Sequence, residues 1–447
     1  MDPQDSMETT RLARMAAMAG TGVRVGVNYL KHYGRRAVGG SADREQLQES
    51  NASAVYETFS RLKGGPLKLA QMLSIDRNLL PAAYAKQFAQ AQYSAPPLSY
   101  PLVVRTFRRE FGREPLAVFD SFSQTASHGA SIGQVHRASK AGRDYAVKVQ
   151  YPGVADSLQS DIRVLKPLAL QILGLRERDV ADYLKEIETR LLEETDYALE
   201  LRRSVELSQR SAHLKNVRFT QYHPELSTTR ILTMDWVEGV PLDKFADGPA
   251  SQLERDTIGQ ALWDFYAHQV HELRQFHADP HPGNFLVKDG QLWVLDFGCA
   301  KQLEDGFYKK QFRFLDPTLV ADRSRFEAAL VDLDILLSSD TPEERERMID
   351  LCAQSVSLLA LPFWGGSFDF GDPLFMQAVY EMGEANSRSQ SLRELEGRRG
   401  SPDSIYVNRA FFGLYSLLSR IRAKVRVSLP EWLCGEMESG IAAPAGC

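Results

Sequence analysis

The spacing of apolar positions divides the chain into a helical first stretch, a central run of short strands and a long helical remainder. Residues 42–80 keep helical spacing up to Pro81, and residues 101–111 predict another helix beyond the Pro96-Pro97 pair. After Phe122 the period shortens. Residues 133–138 and 144–150 read as strands joined by the turn-forming Lys140-Ala141-Gly142. One long helix is expected over 180–210, a strand over 230–237, and a helix over 253–276, where Leu262, Phe265, Tyr266, Gln269 and Leu273 recur at helical spacing. The sharpest local signal follows: Phe285 to Lys288 and residues 291–295 flank Asp289-Gly290, a dipeptide preferred in two-residue hairpins because both turn positions need positive φ. From there to about Trp432 the pattern predicts helices, and the small residues after Glu438 predict a disordered tail. The longest charge-free stretch, 351–368, is interrupted by Pro362 and two glycines and reads as a buried helix and loop rather than a membrane span.

Composition narrows the class. With 447 residues, 43% of them hydrophobic and 25% charged, the chain is globular and neither collagen-like nor disordered. A net charge of −5 leaves no electrostatic footprint for nucleic acid. The balance is uneven, because residues 1–36 hold six Lys and Arg against three acids. Two readings of residues 11–36 stay open: an amphipathic helix on an anionic membrane surface, or a plain terminal extension. Cys299, Cys352, Cys434 and Cys447 are scattered without zinc or disulfide spacing, so a reducing, cytoplasmic setting is expected, and the basic residues between 11 and 36 add the expectation that the protein sits peripheral to a membrane.

The hairpin matters for what stands at its ends. Before it comes Asp279-Pro280-His281-Pro282-Gly283-Asn284 and after it Asp296-Phe297-Gly298. An Asp, an Asn five residues later, a hairpin and then Asp-Phe-Gly is the arrangement of the catalytic and metal loops of protein kinases. Phosphoryl transfer from ATP needs oxygen ligands for Mg²⁺, here Asn284 and Asp296, and a carboxylate near the attacking nucleophile, here Asp279. Upstream, Tyr145-Ala146-Val147-Lys148 lies on a strand where kinases carry the lysine that grips the α and β phosphates. Its acidic partner should lie on the next helix, where Glu193, Asp196 and Glu200 share a face; a solvated acidic face with Arg190 pairing Glu194 is the alternative.

Several features depart from ordinary protein kinases. Ala126 to Gly133 replaces the glycine-rich loop, Ala278 stands where the catalytic-loop arginine would be, and no Ala-Pro-Glu follows Gly298. The segment after Gly298 is expected to reach a new helix by about Arg323, which leaves little platform for a peptide substrate.

With these motifs the chain resembles the UbiB-like family of atypical kinases, also described as AarF-domain or ADCK proteins. The family's K-x-G-Q appears as Lys68-Leu69-Ala70-Gln71, its alanine-rich loop as Gly129 to His136, its E-x-D as Glu194-Thr195-Asp196, its D-P-x-x-x-N as Asp279 to Asn284 and its D-F-G as Asp296 to Gly298. Ala70 replaces a glycine, and Gly129 stands where the family has alanine. The resemblance implies that Lys148 pairs with Glu200. It also implies that Glu194 and Asp196 meet Lys68 and Gln71 from an N-terminal extension folded over the active site.

The expected fold is α+β, a bilobal protein-kinase-like fold with a helical N-terminal extension and a mostly helical C-terminal lobe. Residues 1–36 would be a basic surface segment, 37–121 the extension, 122–240 the N-lobe, 241–438 the C-lobe and 439–447 a tail. ATP is expected against Ala130, Ser131, Ile132, Gly133, Lys148, Met234, Asp235 and Val237, with Mg²⁺ on Asn284 and Asp296. Asp279, Lys148, Glu200 and Lys68 would carry catalysis. The resemblance implies an ATP-binding, Mg²⁺-dependent kinase or ATPase coupled to an isoprenoid or quinone-type lipid at an anionic membrane surface. The alternatives are a nucleotide-sensing, lipid-binding scaffold and, third, a protein kinase.

Overall fold

The computed structural model describes residues 16–17, 20–21, 23–24, 27–28, 44–62, 87, 99–130, 132–173, 185, 188–277, 280–297, 300–388 and 399–438. Lys68, Gln71, Ser131, Asp279 and the tail 439–447 lie outside them. The chain divides into two compact units, residues 1–205 with 221–237, and residues 206–220 with 238–447.

The first unit opens with helix α1 (Arg44–Leu62), the described part of the expected 42–80 block, and α2 (Tyr100–Phe111). Helix α2 stops at Gly112, whose φ of 66° closes the last turn. Five antiparallel strands follow: β1 (Ser121–Phe122), β2 (His128–Gly129), β3 (Gly133–Lys140), β4 (Arg143–Gln150) and, after a detour through β5 (Val217–Phe219) in the second unit, β6 (Ile231–Asp235). Their order is β1-β3-β4-β6, with β2 also on β3. The β3–β4 turn puts both Ala141 (φ 50°) and Gly142 (φ 75°) in the left-handed region, as a two-residue hairpin requires. One face of this sheet buries Ala138, Tyr145, Val147, Val149 and Ile231 against Val103 and Phe107 of α2 and Phe119 and Phe122. The chain then forms α3 (Val154–Leu173) and α4 (Tyr197–Arg210).

The single helix expected over 180–210 is broken. Residues 188–194 are helical, Thr195 and Asp196 leave the helix, and α4 restarts at Tyr197. Asp196 Oδ1 accepts from the backbone N–H groups of Ala198 (3.0 Å) and Leu199 (3.1 Å), so its carboxylate competes with helix continuation and caps the next helix instead. The common face of Glu193, Asp196 and Glu200 therefore does not exist.

In the second unit β7 (Val240–Pro241) precedes helices α5 (Leu242–Asp247) and α6 (Gln252–His271), and α6 starts on a capping box of Ser251 and Glu254. Helix α6 ends before residue 276, because residues 275–277 are spent on strand β8 (Gln275–His277). Hairpin β9 (Phe285–Lys288) and β10 (Gln291–Val294) turns through Asp289 (φ 52°) and Gly290 (φ 70°). The sheet order is β5-β10-β9-β7, with β5 parallel to β10. Strand β11 (Ala300–Gln302) pairs antiparallel with β8.

The next helix comes earlier than 323, as α7 (Asp305–Phe312), followed by α8 (Arg323–Asp332), α9 (Pro342–Leu359), α10 (Pro373–Arg388), α11 (Pro402–Ile421) and α12 (Glu431–Glu438). The remainder is not wholly helical: β12 (Ser367–Asp369) pairs with β13 (Lys424–Arg426), two strands too short to show a period. Residues 351–368 run from α9 through a 3-10 turn into β12, and among the described residues no helix is long and apolar enough to cross a membrane. Cys434 is disulfide-bonded, which the scattered cysteine spacing did not announce, whereas Cys352 is a free thiol.

Candidate functional site

In the first unit the candidate nucleotide residues gather on one sheet. β3 begins at Gly133, where a Cβ would come 2.5 Å from the backbone oxygen of Val149 and 2.8 Å from the Tyr197 hydroxyl, so only glycine lets β3 approach β4 and α4 this closely. Just before it the chain turns tightly, with Ala130 N–H donating to Gly133 C=O at 2.8 Å. Ile132 is buried and its C=O accepts from Tyr151 N–H at 2.9 Å.

Lys148 lies in the middle of β4, opposite Leu232 of β6, and Ala146 lies opposite Met234. Its Nζ stands 2.7 Å from Glu200 Oε1 on α4, with the two side chains 12% and 5% exposed, and 5.0 Å from the centroid of the Tyr197 ring. So little water reaches the pair that the lysine is held in one place.

Glu200 owes its position to the break that interrupts the preceding helix. Asp196 caps α4, Thr195 C=O accepts from Gln150 Nε2 at 2.9 Å, and Gln150 Oε1 in turn accepts from Arg230 at 3.0 Å. These bonds tie the start of α4 to the end of β4. Glu193 serves a different pairing, at 2.9 Å from Arg190 and 2.8 Å from Arg203. Burial pushes its carboxyl up, but the hydrogen bonds and charges of those arginines outweigh burial and hold it below the ordinary range. Glu194 is half-buried beside it.

On β6, Met234 is buried and Asp235 is committed. The Asp235 carboxylate meets His223 Nε2 at 2.8 Å and its N–H donates to Gln221 C=O at 2.8 Å. Val237 follows in the segment after the strand. A nucleotide here would meet the side chain of Met234 and the backbone beyond Asp235 rather than the Asp235 carboxylate.

In the second unit two ladders bracket the candidate catalytic and metal segments. At the open end of the β9–β10 hairpin Leu295 N–H donates to Asn284 C=O at 3.0 Å, which sets Asn284 one residue from Asp296 across the strands. Outside it, β8 pairs with β11 through Ala300 and His277. A hairpin of the right length thus draws together residues twelve apart in sequence. Phe297 is fully buried against Phe219 (5.7 Å) and Phe265 (6.1 Å), anchoring the chain next to Asp296. Pro280 seats on helix α11 at Gly413, where a Cβ would come within 2.0 Å of the proline ring. Lys301, just past the metal segment, pairs with Asp403 of α11 at 2.8 Å. A carboxylate and an amide oxygen at the hairpin end form a hard donor set, which fits Mg²⁺.

Of the expected residues, Ala130, Ile132, Gly133, Lys148, Glu194, Asp196, Glu200, Met234, Asp235 and Val237 fall in the first unit, and Asn284 and Asp296 in the second. Sequence reading missed Gln150, which supports α4, and the capping role of Asp196. The Asp196-Tyr197-Ala198-Leu199 run, a capping residue ahead of apolar ones, carried the second signal.

A strand lysine paired with a helix glutamate, together with an Asn and Asp at a hairpin end, defines an α+β protein of kinase-like fold. The ABC1 atypical kinase-like domain matches residues 90–329, more than half of the chain, and the chain belongs to that family of atypical kinases. The UbiB-like resemblance agrees with its relatives. It is 29% identical over 382 residues to the probable serine/threonine-protein kinase abkA of Dictyostelium discoideum, over 80% of this chain and 66% of that protein, just under two thirds of its length. It is 29% identical to the mitochondrial atypical kinase COQ8B of Rattus norvegicus, over 93% and 79% of the two chains. To the mitochondrial atypical kinase COQ8 of Saccharomyces cerevisiae it is 28% identical, over 94% and 84%. The Rv3197 protein of Mycobacterium tuberculosis, solved in complex with erythromycin, shares the fold with a TM-score of 0.59 at 24% identity, covering 90% of this chain and 98% of that one.

Proposed function

We propose that the protein binds Mg-ATP and hydrolyses it or transfers its terminal phosphoryl group, coupled to lipid or isoprenoid metabolism at a membrane surface. The observation that carries this reading is the buried Lys148–Glu200 pair at 2.7 Å. Desolvating two charges is costly, and a pair kept on a sheet beside a close strand approach that only glycine permits supports a lysine held ready for phosphate oxygens. Asn284 and Asp296 would hold the metal, Asp279 would position the nucleophile, and Ala130, Ser131, Ile132, Gly133, Met234, Asp235 and Val237 would line the nucleotide. Lys68 and Gln71, with Glu194 and Asp196, would form a lid from the extension over residues 37–121. Bound Mg²⁺ supplies charge neutralisation at the phosphates, and the protein's part is positioning and exclusion of water.

The lipid and membrane parts rest on the family resemblance and on the basic residues between 11 and 36. ATP turnover by the purified full chain, with and without anionic liposomes, tests the reading. Asp296→Asn is expected to lower turnover by at least ~100-fold, since a metal ligand is removed. Unchanged turnover would refute the reading.

A second reading, a nucleotide-sensing scaffold with little turnover, draws on one observation. The Ala130 N–H is spent inside its own turn on Gly133 C=O and does not offer itself to a phosphate. Tight ATP binding by thermal shift with no phosphate release would favour it.

A further inference from the structure

The end of helix α6 carries a buried polar group that the nucleotide reading does not use. His268 is 5% exposed, and neither ring nitrogen has a hydrogen-bond partner. Its Nδ1 stands 2.9 Å from a carboxylate oxygen of Glu272, near enough for charge attraction but not aligned as a hydrogen bond. His213, in the turn between α4 and β5, brings its ring to 4.8 Å from that of His268 at an interplanar angle of 80°. One donor atom from each of the three residues lies within 4.8 Å of the others. All three belong to the second unit.

We propose that His213, His268 and Glu272 bind a divalent transition-metal ion of the zinc class, with the fourth position open to water or an anion. Two imidazole nitrogens and one carboxylate oxygen are a donor set that three-ligand zinc sites use. Imidazole donors select such ions over Mg²⁺ and Ca²⁺, which take oxygen. His268 and Glu272 stand at i and i+4, so both donors project from one face of α6 a turn apart. The site falls in the last turn of that helix, where the unpaired carbonyls concentrate partial negative charge and favour a cation. Neither buried ring nitrogen of His268 has a hydrogen-bond partner, and an ion held by both histidines would give one of these nitrogens a ligand bond. The ion would pin the turn around His213 to the end of α6, from which the chain runs through Leu273 and Arg274 into β8 and on towards Asp279. It would be a brace of the second unit, separate from the oxygen donors Asn284 and Asp296.

The test is Zn²⁺ titration of the full-length, untagged, chelator-stripped protein in excess Mg²⁺, which keeps the hard oxygen site occupied, with Co²⁺ as a spectroscopic probe. One ion per chain and visible Co²⁺ ligand-field bands are expected. His213→Ala, an exposed position chosen to spare folding, should weaken Zn²⁺ at least ~10-fold, the lower bound for losing even a supporting residue. Glu272→Gln provides the second variant, and circular dichroism checks that both are folded. No uptake, or equal affinity in both folded variants, overturns the proposal. So does uptake lost in Asp296→Asn but kept in His213→Ala, which would assign the ion to the hairpin end.

Discussion

Lys148 and Glu200 stand 52 residues apart in sequence and meet only because β4 and α4 pack together, whereas Asn284 and Asp296 are twelve apart and drawn close by one hairpin. The first arrangement depends on many remote partners: the cap of Asp196, the Gln150 bridge and the glycine that lets β3 come close to α4. The second depends on a two-residue turn whose backbone the residues themselves prefer. The same two glycine positions show the contrast. Gly133 is required by distant atoms that fill its Cβ position, while Gly290 has open space around it and is required only by its φ of 70°.

This comparison can be broken most strongly at the ion pair. Glu200→Gln removes the charge that Glu200 sets against a buried lysine and is expected to destabilise the protein, by up to about 3–5 kcal/mol, read as a lowered thermal midpoint together with lost ATP turnover. Stability within error of the parent would mean that the pair is not held by packing. Gly133→Ala should cost about 1–3 kcal/mol, because a backbone oxygen cannot yield to the new methyl as a flexible side chain would. Gly290→Ala should cost less, about 1 kcal/mol, and leave the rest of the protein unaltered, since only backbone strain is added. Equal losses in the two glycine variants would erase the distinction between local and remote demand.

The smallest effect is one of pH. His136 is fully buried, its Nδ1 bonded to Ser123 C=O at 2.7 Å and its Nε2 close to Gln134 Nε2 at 2.9 Å. Burial lowers its pKa, and the bond to Ser123 only partly offsets that. The folded state then resists a proton that the unfolded chain accepts, so this group's stabilisation is present above about pH 6.5 and falls away as pH drops through and below that value. Thermal midpoints of the parent should fall between pH 7.5 and 5.5 more steeply than those of His136→Asn. Equal slopes would show that the ring titrates as it does in the unfolded chain.

Much of the architecture was legible. The hairpin at Asp289-Gly290, helix α2, the strand pair β3–β4 and the family itself followed from turn chemistry, periodicity and ordered motifs. What was missed shares a physical cause. The helix expected over 180–210 has no Gly or Pro to stop it, and its break follows from Asp196 offering its carboxylate to the backbone ahead. Strands β8, β11, β12 and β13 hold three residues each, too few for a period, and exist because each finds a partner elsewhere. His268 and Glu272 are spaced i, i+4 on one helix, but their grouping with His213 joins a turn to a helix 55 residues further on, and that link leaves no spacing to read.

By itself, then, the sequence determined the class of this protein and its local units, because turn dihedrals, helix period and the order of Asp, Asn and Asp-Phe-Gly are properties of neighbouring residues. The motif resemblance already named Glu200 as the partner of Lys148, and the structure shows that pair; only the tertiary structure decided where the long helix stops and which histidines meet. Those outcomes depend on which remote groups remain to satisfy a buried charge or an unpaired backbone donor, and nearby residues do not encode that competition.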